Sequence, residues 1–456
     1  MQPNAAGAVR FCIATFALLV AVHTAAADGW RAGTARTKIT PERSMWMSGY
    51  GARDRPAEGT SLDLWAKVLV LEDARGKRVV LVTLDLVGIA RDSSVRICGA
   101  LREKYGLDRA QVMLAVSHTH CGPVVGRNLS AMYFLDQQQL QWVDEYAEQL
   151  EQTVVKLVGE AIDHLAPCAL AWGSGQATFA VNRRNNKEAD VPQRRQAGGL
   201  VGPVDYDVPV LAVRDAKREL VAVAFGYACH ATVLDFYQWS GDYPGYAQRA
   251  LEESHPGMTA LFWAGCGADQ NPVPRRRVEL AEQYGNHLAQ SVDRVLAGVT
   301  APVEGNLAAT YREIELPFGP LPTRESLLQQ SESTNKYEAQ RGRLLLARVD
   351  AGQPLSPTYP YPIQCWWLGR DVRWLALGGE VVVDYALRLK AELAGKRTWV
   401  AGYANDVMAY IPSRRVLAEG GYEGGGAMVY YGLPTVWAPE VEGLIVREAR
   451  AQAGAE

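Results

Sequence analysis

The chain lacks most of the features that mark specialised protein classes. Its 47 basic and 50 acidic residues nearly cancel, to a formal net charge of −3, and no basic run is longer than residues 275–277. Nucleic acid is therefore not expected as a partner, because phosphate binding needs concentrated positive charge. The sequence also has no fixed-period repeat and no Gly/Ser-rich or Pro-rich linker. With 48% hydrophobic residues, it predicts a folded globular protein rather than a disordered or fibrous one.

The apolar run near the start of the chain is too short to span a bilayer, which takes about 20 residues. It occupies residues 11–22, follows Arg10 and precedes the small residues 25–27. This order of charged, apolar and small residues is typical of a cleavable secretory signal. We therefore predict a signal peptide over residues 1–27. The mature chain would begin near Asp28, be secreted or periplasmic, and contain no transmembrane span.

Cysteine is sparse, and removal of the signal leaves an even number. The remaining cysteines are Cys98, Cys121, Cys168, Cys229, Cys266 and Cys365. An exported chain meets an oxidising compartment, where such a set could form one to three disulfides. Six buried thiols are the alternative, and the spacing does not decide between them. The sequence gives no indication of the oligomeric state either.

Short apolar runs of strand length alternate with helical patterns along the chain. The predicted strands are 64–71, 79–86, 112–116, 221–227, 260–263, 372–377 and 398–403. Helical stripes run over 140–161 and 280–295. This alternation predicts an α/β layered domain with a mixed β-sheet flanked by helices. Residues 317–362 interrupt it with an amphipathic helix near 324–349 and a loop over 354–362, and we interpret them as an insertion or lid.

Histidine is scarce, so the informative histidines are easy to isolate. His118 and His120 come directly after the predicted strand 112–116, and His230 follows the strand 221–227. Strand ends that open into loops are where an α/β sheet collects its ligands. Two histidines spaced two apart in extended chain point to the same side and can converge on one ion. The pattern indicates a metal site, although a polar turn would look similar.

Two oxygen-bearing residues occupy comparable positions. Glu380 follows the strand 372–377 through two glycines, where it is either a metal ligand or a first-turn glutamate favoured by a helix dipole. Tyr410 follows the strand 398–403 through a turn and would, taken alone, be a core aromatic. Asp85, after another apolar strand, is a candidate partner for a ligand histidine.

Several separated motifs, taken in order, resemble the catalytic domain of the neutral, non-lysosomal ceramidases. They are Met47-Ser48-Gly49-Tyr50, Thr83-Leu84-Asp85, Ser117-His118-Thr119-His120-Cys121-Gly122-Pro123, Asn182-Arg183, Gly402-Tyr403-Ala404-Asn405 with Tyr410, and Tyr422-Glu423-Gly424-Gly425. The resemblance runs from about Gly33 to the end of the chain. It implies one catalytic domain over residues 28–456. The immunoglobulin-like domain that follows the catalytic part in ceramidases is predicted to be absent.

The resemblance also implies a mononuclear zinc amidase. The implied zinc ligands are His118, His230, Glu380 and Tyr410. The implied catalytic residues are His120, Arg183 and Tyr422. Zinc would make hydroxide available at neutral pH, while His120 and Tyr422 donate hydrogen bonds to the developing oxyanion and Arg183 orients the substrate.

One position departs from the family pattern. Ceramidases carry a catalytic serine before a proline, whereas here Asn271 precedes Pro272. This difference argues against serine-dependent chemistry and against ceramide itself as the substrate, and a buried Cys266 is a poor substitute nucleophile. We therefore predict a zinc hydrolase that cleaves an N-acyl amide bond in a small-molecule or lipid substrate. The alternatives are a secreted metal-containing binding protein without activity and a zinc esterase.

Overall fold

Two β-sheets stacked face to face form the centre of the protein. The computed structural model describes residues 29–393 and 397–454, so the predicted signal peptide lies outside the described residues. The strands are β1 Trp30–Lys38, β2 Gly59–Thr60, β3 Trp65–Glu72, β4 Arg78–Leu84, β5 Val112–Val116, β6 Ala166–Gln176, β7 Ala180–Asn182, β8 Asp207–Asp215, β9 Leu220–Tyr227, β10 Gln238–Trp239, β11 Thr259–Ala264, β12 Gln270–Pro272, β13 Ala301–Pro302, β14 Leu307–Pro317, β15 Thr358–Leu368, β16 Val372–Leu377, β17 Glu380–Val381, β18 Thr398–Ala401 and β19 Tyr410–Ile411.

Helices cover the outer faces of both sheets and form part of the connections between strands. They are α1 Arg91–Tyr105, α2 Gln137–Asp163, α3 Val191–Gln196, α4 Asp242–Ser254, α5 Val278–Ala297, α6 Arg324–Ser331, α7 Lys336–Asp350, α8 Val383–Glu392, α9 Arg414–Glu419, α10 Met428–Tyr431 and α11 Val441–Gln452. The helices α2, α4 and α5 pack on the larger sheet, with α1 against α2, whereas α8 and α11 pack on the smaller one. Within the described ranges, no helix is both long and apolar enough to cross a membrane.

The larger sheet is mixed and has the strand order β11-β9-β8-β6-β1-β3-β4-β5, with β13 beside β6. Its two outermost pairs, β9 with β11 and β4 with β5, are parallel, and the pairs between them are antiparallel. The smaller sheet has the order β14-β15-β16-β18, and β16 runs parallel to β18. The predicted layered α/β class is therefore confirmed, and the structure adds a second sheet to the one that the sequence predicts.

The two faces of each strand belong to different apolar layers, because successive side chains alternate sides. In β3, Leu69 belongs to the layer between the sheets, whereas Val70 packs towards the helices. Tryptophans fill the space between the sheets. The ring of Trp374 in β16 lies 5.3 Å, centroid to centroid, from Trp263 of β11 and from Trp399 of β18. The contact between Trp374 and Trp263 therefore packs the smaller sheet directly against the larger one.

Residues 317–362 begin and end as strands of the smaller sheet. β14 and β15 pair in antiparallel register from Leu307 with Leu368 to Pro317 with Thr358, so the expected loop over 354–362 is strand from Thr358 onward. Between them lie two helices where the sequence predicts one. The helix is interrupted before α7 because Asn335 caps the N-terminus of that helix. Its side chain accepts hydrogen bonds from the backbone N–H groups of Tyr337 and Glu338. The role as a lid stays a prediction.

The cysteines of the described part are all buried and free. Burial raises the pKa of the thiols of Cys121 and Cys365 to about 12. Of the two alternatives left open by the sequence, the structure has buried thiols rather than disulfides.

Candidate metal centre

Three histidines at strand ends converge on one point. His118 and His120 follow β5, and His230 follows β9; we call these residues the histidine cluster. One ring nitrogen from each lies within 4.8 Å of the others, and the Nε2 atoms of His118 and His120 are 3.2 Å apart. The backbone of His118 has φ 58°, a left-handed conformation that costs a non-glycine residue energy. This turn directs the imidazole inward immediately after the strand.

Backbone carbonyls fix the tautomers of two cluster members. The Nδ1 of His118 lies 2.5 Å from the carbonyl oxygen of Val87, and the Nδ1 of His230 lies 2.8 Å from that of Gly267. Because a carbonyl can only accept, each Nδ1 carries the hydrogen, and each Nε2 presents its lone pair to the centre. Burial lowers the pKa of His230 to about 4, so this imidazole is neutral at pH 7. Neutral imidazole is the form that binds metal ions.

Glu380 brings a carboxylate against these lone pairs. Its Oε2 lies 3.2 Å from Nε2 of His118 and 3.1 Å from Nε2 of His230, and it accepts no hydrogen bond from the described residues. The hydroxyl of Tyr431, on α10, donates to Oε1.

Of the two alternatives for Glu380, the structure excludes a glutamate in the first turn of a helix, because α8 begins only at Val383. Glu380 lies in β17, and its backbone pairs in parallel with Tyr410 of β19, so the two side chains are held in register. The Tyr410 hydroxyl lies 3.3 Å from Nε2 of His230. Burial raises the pKa of Tyr410 well above its usual value, so it is a phenol in this arrangement.

The residues present fit a metal ion. The Oε2 of Glu380 is buried without a hydrogen-bond partner among the described residues and lies 3.2 Å from Nε2 of His118 and 3.1 Å from Nε2 of His230, so that one ion placed between them could bind all three atoms. The structure brings all four implied ligands together, with Tyr410 completing the set. It also places His120 in the same donor group, although the resemblance assigns that residue to catalysis. A divalent ion held by nitrogen and oxygen donors is what such a site can take.

Arg183 links the candidate metal centre to the pocket wall. Its guanidinium donates to Glu423 at 2.7 Å, to Oδ1 of Asn271 at 3.2 Å and to the Tyr410 hydroxyl at 3.1 Å. Tyr422 stands further out, 44% exposed, with its ring 5.2 Å from that of Tyr410. All three predicted catalytic positions, His120 included, therefore line one pocket.

This central pocket has a volume of about 650 Å³ and is open to solvent. Gly49 and Tyr50 of the first motif form part of its wall. Gly49 has φ 97°, and a Cβ there would lie 2.5 Å from the His120 ring, so only glycine allows the backbone to pass. Asn271 also lines the pocket, whereas Cys266 is buried elsewhere.

Sequence reasoning missed several residues of the site and misplaced one. Asp85 accepts from the backbone N–H of Trp65 rather than from a cluster histidine, because carbonyls already occupy the Nδ1 atoms. Tyr431 was not identified, since an aromatic on a short helix looks like core. Arg184 was not identified either, yet it shares Glu423 with Arg183. The motif that contains Glu423 was the available pointer to that ion pair.

The family described as neutral/alkaline non-lysosomal ceramidase, N-terminal, matches residues 30–306. The chain belongs to this family. The resemblance seen in the motifs is thereby confirmed, and the histidine cluster lies inside the matched region. Glu380, Tyr410 and Tyr422 lie beyond it.

Curated ceramidases resemble the chain over much of its length. The neutral ceramidase of Pseudomonas aeruginosa is 26% identical over 473 aligned residues, which cover 88% of this chain and 69% of that protein. Neutral ceramidase 1 of Arabidopsis thaliana is 24% identical over 54% of this chain and 32% of its own length. The chain thus spans about a third of the plant ceramidase's length.

Solved ceramidase structures share the fold. The crystal structure of neutral ceramidase from Pseudomonas aeruginosa superposes with a TM-score of 0.72 at 21% identity, over 94% of this chain and 74% of that one. A structure of a ceramidase complexed with C2 gives the same TM-score and identity. At this identity the likeness concerns the layered architecture, including the second sheet.

Proposed function

We propose that the protein is an exported, zinc-dependent hydrolase that cleaves the C–N bond of an N-acyl amide. The observation that carries the proposal is the convergence of three imidazoles, a carboxylate and a phenol beside an open pocket. Membership of the ceramidase family supports hydrolysis of an amide bond. The pattern at residues 1–27 supports export, to the periplasm or outside the cell.

The donor set favours zinc over other common divalent ions. Magnesium and calcium prefer oxygen ligands alone, whereas imidazole with a carboxylate suits zinc. His118, His230, Glu380 and Tyr410 would hold the ion, with His120 beside them. When bound, zinc supplies Lewis acidity and makes hydroxide available at neutral pH.

The pocket residues would act on the amide itself. His120 and Tyr422 are placed to donate hydrogen bonds to the carbonyl oxygen as negative charge develops on it. His120 could also pass a proton to the departing nitrogen. Arg183 is fixed by Glu423, so it positions the Tyr410 hydroxyl and orients a polar part of the substrate.

Water is the nucleophile that this set of residues supports. Asn271 occupies the position of the ceramidase serine, and its Oδ1 is engaged by Arg183. Cys266 is fully buried, and burial raises its pKa far above neutrality, so its thiolate is not available at pH 7. Hydrolysis would therefore proceed without a covalent intermediate on the protein.

The test combines metal analysis with an amidase assay on His118→Ala. We expect about one zinc per chain in the wild type and its loss in the variant, with amide hydrolysis lost alongside. His164→Ala is the matched control, because that histidine is exposed at the end of α2, away from the pocket. Wild-type protein that stays zinc-free after supplementation would refute the proposal.

The same assay distinguishes the two alternatives. A protein that binds zinc but hydrolyses no member of a broad acyl-amide panel would be the metal-containing binding protein, which the substitution at Asn271 allows. Hydrolysis of esters but not of the matching amides would identify a zinc esterase. Turnover of an amide that depends on His118 supports the amidase.

A further inference from the structure

Arg53 is a buried arginine that lies beside two residues of the pocket wall, Tyr50 and His120. Arg53 is 6% exposed, and its guanidinium contacts backbone carbonyls rather than a carboxylate in the part of the chain that the structure describes. Its Nε is also buried and has no hydrogen-bond partner there. An unpaired charge is costly to remove from water. The fold keeps this cation despite that cost, which indicates a role beyond packing.

The guanidinium joins three segments of the chain that border the pocket. It donates to the carbonyl oxygen of Ser48 at 2.6 Å, to that of His120 at 2.7 Å and to that of Phe236 at 3.1 Å. Ser48 belongs to the first motif, His120 follows β5, and Phe236 lies in the loop before β10. Because the N–H donors of arginine form a rigid fork, one side chain can fix all three carbonyls relative to one another.

Arg53 also supports the ring that packs against His120. Its guanidinium carbon lies 4.8 Å from the centroid of the Tyr50 ring, and a cation over an aromatic face is attracted to it. The Tyr50 ring in turn lies 4.8 Å, centroid to centroid, from the imidazole of His120. Arg53 therefore holds His120 in two ways, through its carbonyl oxygen and through the tyrosine beside its ring.

The imidazole of His120 lacks the support that the other members of the histidine cluster have. Carbonyl oxygens accept from Nδ1 of His118 and of His230, whereas Nδ1 of His120 is buried with no hydrogen-bond partner among the described residues. Its Nε2 lies 3.2 Å from Nε2 of His118, which belongs to the metal site itself. The orientation of the His120 ring therefore depends on its backbone and on its packing, and Arg53 contributes to both.

We propose that Arg53 is a positioning residue for His120, holding its imidazole where it can pass a proton to the departing nitrogen of the amide. This inference rests on the proposed amidase function. In that reaction, water supplies OH to the acyl carbon and H, by way of His120, to the nitrogen as the C–N bond breaks. An acid and an amine are released, and Arg53 acts only through His120.

The test compares two amides of one acid that differ in the amine that leaves, an N-alkyl amide and the p-nitroanilide. An alkylamine is strongly basic and needs a proton as it departs, whereas p-nitroaniline is weakly basic and depends much less on one. Arg53→Lys keeps the charge and loses the fork. We expect this variant to lower kcat about 10- to 100-fold on the alkyl amide and less than about threefold on the p-nitroanilide, with KM nearly unchanged for both.

A double-variant cycle shows whether the effect passes through His120. Without His120, the fork of Arg53 has no imidazole to hold, so adding Arg53→Lys to His120→Ala should cost less than about threefold more on the alkyl amide. The zinc dissociation constant of Arg53→Lys should stay within about threefold of the wild-type value, because Arg53 contacts residues other than the implied ligands. Its crystal structure should show the His120 ring displaced or in more than one rotamer.

Arg109→Lys is the matched control. The guanidinium of Arg109 also donates to a backbone carbonyl, that of Val112 at 2.8 Å, and lies over a tyrosine ring, that of Tyr311 at 4.0 Å, but at the opposite end of β5 from His120. This variant should leave both kcat values unchanged. If Arg53→Lys does not fold, which its melting temperature would show, Tyr50→Leu replaces it. That variant removes the ring between Arg53 and His120 and should give the same selective loss on the alkyl amide.

The outcomes separate this inference from the function on which it rests. Equal losses on the two amides, or losses that multiply in the double variant, overturn the role of Arg53 and leave the amidase proposal standing. Failure of the zinc-loaded wild type to hydrolyse either amide overturns both.

Discussion

The hydrogen bond from Tyr431 to Glu380 should control how tightly the site holds a metal. The Tyr431 hydroxyl is buried and donates to Oε1 of Glu380, while Oε2 faces the histidine cluster. Tyr431→Phe removes this one donor and keeps the ring. The carboxylate is then freer to rotate and loses a partner that supports its charge.

The magnitude follows from the kind of bond that is lost. A hydrogen bond to a charged group contributes about 1.5–3 kcal/mol, which corresponds to about a 10- to 150-fold change in an equilibrium constant. Loss of an outer partner of a metal ligand typically weakens binding about 10- to 100-fold, in agreement. We therefore expect the zinc dissociation constant of Tyr431→Phe to rise by about one to two orders of magnitude.

Competition with a chromophoric chelator at pH 7 measures this constant. Tyr430→Phe is the matched control, because Tyr430 is adjacent in α10 and its hydroxyl makes no hydrogen bond with any described residue. A dissociation constant for Tyr431→Phe within threefold of both wild type and control would refute the reasoning, since it would mean that Glu380 is held without Tyr431 or does not bind the ion.

Two further predictions concern stability. Burial raises the pKa of Asp406, which accepts from the Tyr359 hydroxyl, to about 7. The unfolded state releases this proton above about pH 4, whereas the folded state keeps it up to about pH 7. The protonated carboxyl group therefore stabilises the folded state at low pH, and this stabilisation is lost as the pH rises through 7. The free energy of unfolding of Asp406→Asn, measured in urea relative to that of the wild type, should consequently increase by about 3 kcal/mol from pH 5 to pH 8. The same difference between variant and wild type at both pH values would contradict this prediction. Gly226→Ala places a Cβ 2.3 Å from the Trp263 ring between the sheets, so it should destabilise by about 1–3 kcal/mol. Gly99→Ala is the control, because Gly99 is on the exposed side of α1 with no atom within 4 Å of the added Cβ, and it should not lower the free energy of unfolding. Equal urea midpoints for the two glycine variants would contradict the packing argument.

Strand ends were the part of the site that sequence could predict. The strands β5 and β16 begin and end at the residues that the apolar runs predict, because buried strands are short, continuous and bounded by polar or glycine residues. Once the strands are placed, His118 follows the end of β5 and His230 follows the end of β9. The resemblance to the ceramidases then assigned a common role to residues that lie far apart in the chain.

The second sheet escaped prediction because β15 contains prolines. Pro360 and Pro362 suggested a loop, since proline cannot donate to a strand ladder. In the structure β15 pairs with β16 from Ile363 onward, so both prolines lie beyond the end of that neighbour and no hydrogen bond is missing there. The pairing of Glu380 with Tyr410 was equally hidden, because a two-residue ladder has no periodicity to detect.

The candidate metal centre draws its donor atoms from both sheets. The histidine cluster follows strands of the larger sheet, whereas Glu380 and Tyr410 follow strands of the smaller one. A bound ion would therefore cross-link the two sheets and, together with the tryptophan contacts between them, oppose their separation. A fragment cut at residue 306, where the family match ends, would keep the imidazoles but lose the carboxylate and the phenol. The smaller sheet is thus part of the candidate site, and a division of the chain between the sheets would separate its donors.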